Sequence, residues 1–190
     1  MRTVRQTGRR RGAVLESVIA EAALAELTAH GYPGFSMERV AVRAGTGKAS
    51  IYRRWPSRIE LVVAAVQRSL PGDEPPDTGS LRGDLIEMMS LLSDLLAGPA
   101  GIAVRGIIAE TLSSQGSLAE ASPPLGFATP VMERIVQRAV ARGELAPGSV
   151  TAQQLRVPPA MMRNHFLFRG PVTTAVIIEM VDEVVLKVLC

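Results

Sequence analysis

Residues 37–55, MERVAVRAGTGKASIYRRW, constrain the fold more than any other stretch, because two short helical runs meet there at Gly45-Thr46-Gly47. A three-residue turn with glycine on either side of Thr46 suits two helices set at a steep angle, with a glycine available wherever φ must be positive. Ala41, one turn before the junction, is small enough to let the helices cross closely. Val40, Ile51 and Trp55 then point into a small core. Helices this short are marginal alone, so they need a support. The preceding run, about 13–30, supplies it: Leu15, Ile19, Ala23 and Leu27 form a buried stripe, with Glu16, Glu21 and Glu26 placed elsewhere. Gly31 and Pro33 end that helix, Ser36 caps the second from Met37 to Ala44, and Ser57 with Glu60 makes a capping box for a fourth.

Rotation by about 100° per residue sorts the third helix into faces. With Ile51 inward, Ala49 and Arg53 lie opposite, Ser50 and Tyr52 flank them, Lys48 stands at the N-terminal edge, and Thr46 of the turn joins them as a candidate DNA contact. Such a face meets the demands of a DNA major groove: a cation for guanine, a small apolar group for a thymine methyl, hydroxyls for bases or phosphates. Arg54 and Arg58, beside the start of the fourth helix, are placed to hold the phosphate backbone.

Charge agrees with that assignment. The first 70 residues hold twelve Lys and Arg against five Glu, a net +7, whereas the remainder has nine against thirteen, a net −4. A basic head on an acidic body is expected where one end meets a polyanion. Cys190, the single cysteine, is the last residue, so no disulfide or cysteine metal site forms within one chain. His30 and His165 lack companions at metal-ligand spacing, and no P-loop, GxSxG or GxGxxG occurs. The expectation is a protein that is not an enzyme, with no cofactor and no metal. Charged residues interrupt every long apolar run, which predicts a soluble, cytoplasmic protein without a membrane partner.

Residues 71–80, PGDEPPDTGS, cannot continue a helix and read as a linker. Beyond them helical patterning returns over about 81–97, 101–115, 130–143, 151–168 and 173–189. Thr129-Pro130 and the pair Thr151 with Gln154 serve as caps, and Pro158-Pro159 kinks or delays the eighth helix. Residues 116–129, with Pro123-Pro124, form the longest irregular stretch. The predicted fold is all-α, with about nine helices: a three-helix helix-turn-helix head over 1–70, including an N-terminal arm over 1–12, a linker over 71–80, and a helical body over 81–190.

Residues 14–70 resemble the DNA-binding head of TetR family regulators, whose pattern is a helix ending in Gly-Tyr or Gly-Phe, a Ser/Thr-capped second helix, Gly-x-Ser-x-x-x-x-Tyr-x-x-Phe, Pro or Asn, and a Lys-led fourth helix. The chain has Gly31-Tyr32, Ser36, Gly45 through Tyr52 to Trp55, Pro56-Ser57 and Arg58. Gly47 stands where a capping serine is usual, leaving Thr46 as the alternative cap; Trp55 replaces Phe and Arg58 replaces Lys. The resemblance implies that Tyr52 and Arg58 contact phosphates and that positions 48–50 and 53 vary with the operator. It further implies a homodimer joined through the last two helices of the body and acting on double-stranded operator DNA. Both repressor and activator remain open from the residues.

Two expectations concern the body. Ile177, Val181, Val184 and Val188 follow i, i+4, i+7, i+11 and predict a dimer face, widened by Ile178, Val185 and Leu189. Met88, Met89 and Met132, with Arg105 and His165, are candidates for a pocket between the fifth to eighth helices that takes a small apolar or aromatic effector.

Overall fold

The computed structural model describes residues 4–70, 74–114 and 128–190, and every regular element among them is helical. In order these are α1 (Val4–His30), α2 (Met37–Arg43), α3 (Lys48–Tyr52), α4 (Arg58–Ser69), α5 (Leu81–Ala97), α6 (Pro99–Ser113), α7 (Ala128–Ala141), a 3-10 turn (Gln154–Arg156), α8 (Val157–Phe168) and α9 (Thr174–Met180). A π-helical stretch, Val181–Val185, carries α9 without a break into a last turn, α10 (Leu186–Leu189). Most of the expected arm is therefore helix, since α1 begins at Val4. The irregular stretch expected over 116–129 lies mostly outside the described residues.

The chain divides into two compact units. The first comprises Met1–Leu70 together with Pro99–Pro124. Its core is built from Ile19, Ala23 and Leu27 of α1, Val40 and Ala41 of α2, Ile51 of α3, and Leu61, Val62 and Ala65 of α4. Helix α6 packs on α1 and α4. This departs from the sequence expectation, which placed α6 with the body. The physical reason lies in Gly106: a Cβ there would stand 2.1 Å from Cγ of Tyr32, so glycine lets the α6 backbone close directly onto the buried Tyr32 ring.

The second unit comprises Pro71–Gly98 and Leu125–Cys190, with α5 packed against α7, α8 and α9. Leu85, Met89, Met132, Ile135, Met162 and Ile177 fill its core. Of the segment expected to be a linker, the described residues 74–80 are fastened to this unit. Arg138 donates to the carbonyls of Pro75 and Pro76 at 2.9 and 3.1 Å and pairs with Glu74. Thr78 donates its N–H and hydroxyl to the buried carboxylate of Asp84 at 2.6 and 2.8 Å, and Arg142 closes the clasp at 2.8 Å. Pro75 and Pro76 prevent helix, but they do not prevent an ordered strap.

The π stretch corrects the dimer face predicted for the last helix. In a π turn the chain needs roughly 4.4 residues for each rotation, so a helix containing one turns more slowly than 3.6 periodicity assumes. The stripe that faces the core becomes Ile177, Val181, Val185 and Leu189, all closed to solvent at 0–2% exposure. Ile177 and Val181 are spent on the chain's own core. Val184 rotates outward to 37% exposure. Pro158 and Pro159 fall at the start of α8 and delay it, as expected, and Thr151 exchanges hydrogen bonds with Gln154 where the 3-10 turn before it begins.

Candidate nucleic-acid interface

The geometry of the interface begins at two caps and one glycine. Ser36 accepts the N–H of Arg39 and opens α2, and Ser57 accepts the N–H of Glu60 and opens α4. Between α2 and α3 the chain reverses at Gly45, whose φ of +61° would strain any residue with a Cβ. Thr46 then donates its N–H to the carbonyl of Ala41 at 3.0 Å. The N-cap of α3 is Gly47, with no side-chain cap, so Thr46 does not take that role.

Helix α3 presents the face expected of it. Ile51 is fully buried, while Lys48, Ala49, Arg53 and Tyr52 are exposed, Tyr52 at 43%, and Ser50 is half-buried. The cations near this face are not equivalent. Lys48 Nζ lies 2.9 Å from Oε1 of Glu38, whose carboxyl is held below its usual range by that contact, by its own backbone N–H and by Ser36. Arg54 folds back, donating to the carbonyl and hydroxyl of Ser50 at 2.9 and 3.1 Å, with Glu16 at 3.7 Å. It braces α3 against α1.

Arg58, expected on a phosphate, is engaged in the chain. Its Nη2 sits 2.5 Å from Oε2 of Glu110 on α6, and its guanidinium carbon lies 4.6 Å from the centroid of the Tyr32 ring. Tyr32 Oη donates to the same Oε2 at 2.6 Å. Burial, then this hydrogen bond, push the Tyr32 phenol well above its usual value, so it stays a donor.

Three residues of this unit hold contacts that the sequence reading did not assign to them. Glu26 was read as off the buried stripe, yet it is fully buried, with Arg39 Nε at 2.5 Å and His30 Nε2 at 3.6 Å. It ties α2 to α1. Tyr32 and Glu110 are the others. A glycine inside an apolar helix, at 106, was the available signal of a close approach.

The residues proposed for an effector pocket are dispersed. Met88, Met89 and Met132 are buried in the second unit, whereas Arg105 is exposed on α6 in the first. His165 lines a groove of about 490 Å³ together with Ala160, Met161 and Asn164 of α8, Arg169 just after it and Met180 of α9. Among the described residues no group of three His, Cys, Asp or Glu side chains is placed to hold a metal ion. No single described helix is long and apolar enough to cross a membrane.

Comparison with known proteins agrees with these features. Residues 19–65 match the family of bacterial regulatory proteins of the tetR type, and residues 75–184 match the tetracyclin repressor-like C-terminal domain. The DNA-binding transcriptional repressor TetR of Mycobacteroides abscessus is 35% identical over 93% of this chain and 94% of its own. An HTH-type transcriptional regulator of Mycobacterium tuberculosis is 29% identical over 90% of this chain and 86% of its own. Among solved structures, a TetR family transcription regulator superposes with a TM-score of 0.70 at 21% identity, covering 93% of this chain and 98% of that one. Bacillus subtilis FadR in complex with stearoyl-CoA superposes with a TM-score of 0.53 at 14% identity, covering 90% and 96%. The turn at Gly45, the exposed face of α3 and both family matches lead to one conclusion: the chain belongs to the TetR family of bacterial helix-turn-helix transcriptional regulators.

Proposed function

We propose that the chain is a ligand-responsive repressor that binds a palindromic operator as a homodimer, reading bases with Lys48, Ala49, Ser50 and Arg53. The observation that carries this reading is the outward face of α3, where Ala49 and Arg53 stand exposed opposite the buried Ile51. One recognition helix covers only a few base pairs, so useful affinity requires two half-sites about one helical turn apart. Arg53→Ala weakens specific binding by about 1–3 kcal/mol. Lys48→Ala weakens it less, because Lys48 must first leave Glu38, an exposed pair worth at most about 1 kcal/mol. A titration against the operator in which both variants bind with wild-type affinity and site preference contradicts the assignment.

The dimer contact in this reading uses the outward side of the last helices. On these helices Ile178 and Val184 are exposed, Val188 is half-buried, and Phe168 at the end of α8 is 80% exposed. Large apolar side chains left in solvent are the ones that a protein contact can use. The effector is a small apolar or aromatic molecule taken up by the second unit, whose buried Met88, Met89 and Met132 are deformable side chains that can give way to it. The same fold in FadR holds an acyl-CoA. Release of DNA then requires that the effector prefer a body conformation in which the heads are misplaced, since equal affinity for both states shifts nothing. A thermal-shift screen of lipophilic and aromatic compounds, followed by operator release with each hit, tests this part; a screen with no stabilising compound contradicts it.

A further inference from the structure

Arg58 is the first residue of α4, so its side chain stands at the end of a helix whose N-terminus attracts anions. In the DNA-free chain that cation is held by Glu110. The carboxylate is fixed in place: the Tyr32 hydroxyl and the Arg58 guanidinium converge on one oxygen, Oε2, at 2.6 and 2.5 Å. The Tyr32 ring supports the guanidinium from below, and Gly106 brings α6 close enough for Glu110 to reach. Both partners keep about a third of their side-chain surface in solvent, 33% for Arg58 and 36% for Glu110. The pair is therefore built well enough to localise Arg58 and exposed enough to open without stranding a buried charge.

We propose that Arg58 is exchanged between two anions, the carboxylate of Glu110 in the free chain and a backbone phosphate in the DNA complex, so that Glu110 sets the strength of DNA binding without touching DNA. This rests on the reading that the head lies on DNA with the start of α4 against the backbone. Glu110 occupies the position of a phosphate mimic, and each head must break one ion pair before it gains one phosphate contact. Linkage makes the effect reciprocal: a bound phosphate loosens the hold of α4 on α6.

The test uses the full chain and a random-sequence duplex of about 30 base pairs, because phosphate contacts are independent of sequence and are counted by the salt dependence of binding. Glu110→Gln keeps an acceptor for Tyr32 and removes the charge. It is expected to tighten binding about two- to fivefold per head, with the slope of log K against log salt unchanged. Arg58→Ala is expected to flatten that slope by about 0.9 per head and to abolish the gain from Glu110→Gln in the double variant. The Arg58→Ala slope stands by itself if Glu110→Gln fails to fold in a thermal melt. A slope indifferent to Arg58→Ala makes the pair a permanent brace and overturns the proposal. A steeper slope in Glu110→Gln means that Glu110 withholds Arg58 even in the complex, which overturns it as well. A wild-type chain that does not bind the duplex overturns this proposal and the DNA-binding reading together, whereas binding with either of those slopes overturns the exchange alone.

Discussion

Glu26 and Asp84 are both acids fully closed to solvent, and each is made tolerable by an arginine on a neighbouring element. The two sides of such a pair are not equivalent. Arg39 is about half exposed and returns to water when Glu26 is replaced, but Glu26 cannot follow when Arg39 is lost. Arg39→Ala is therefore expected to cost about 2–3 kcal/mol, below the 3–5 of a fully buried pair, and Glu26→Gln nearer 1. Thermal or urea unfolding checks the order; Glu26→Gln as costly as Arg39→Ala contradicts it. Asp84 extends the argument to pH. Burial alone raises its pKa, but the N–H and hydroxyl of Thr78 and the guanidinium of Arg142 outweigh burial and hold it below its ordinary value. A carboxyl depressed by folding adds stability above its unfolded pKa, and that stability is lost as pH falls through the folded value. The wild-type body is expected to lose stability below about pH 4, and Arg142→Ala to shrink that acid-dependent part. A pH series of melting curves with identical acid limbs for both proteins excludes the clasp.

Helix α3 and the last helix show how far periodicity carries. The faces of α3 were legible because five residues of regular α-helix leave little room for error in rotation: Ile51 in, Ala49 and Arg53 out. The last helix was misassigned because one π stretch, Val181–Val185, shifts the register by nearly a quarter turn, and no residue type marks it. Val181 and Val184 now have opposite expectations. Val181→Glu places a charge where exposure is 0%, and the body is expected to unfold by circular dichroism. Val184→Glu, at 37% exposure, is expected to keep helical content and melt cooperatively while light scattering falls to the monomer mass. A Val184→Glu chain that remains a dimer removes this face from the contact. Helix α6 escaped for another reason. Its apolar residues Ala103, Val104 and Ile107 say that one side is buried but not in which unit, and Gly106 against Tyr32, with Glu110 on Arg58, decides. Gly106→Ala is expected to destabilise the first unit by about 1–3 kcal/mol through overpacking, measured as a lowered unfolding midpoint.

For the molecule as a whole, the division of charge was the most durable feature of the sequence: a head of net +7 and a remainder of net −4. The boundary was less so, because residues 74–80 are clasped by Arg138 and Arg142, and their prolines advertise only the absence of helix. Much of the head's charge is also internally committed. Arg39, Lys48, Arg54, Arg58 and Arg68 each pair with a carboxylate of their own unit, so the positive field at the DNA face is smaller than a count of residues suggests. On the proposed reading, sequence specificity is expected to fall chiefly on Arg53 and the small residues beside it. Selection of bound sequences from a random pool, run with the wild-type chain and with Arg53→Ala, tests this most directly. The wild type is expected to enrich two inverted half-sites about one helical turn apart, and Arg53→Ala to lose preference at one symmetric base pair in each half-site. Enrichment of no sequence, of a single site without symmetry, or of the same operator by Arg53→Ala would contradict the account.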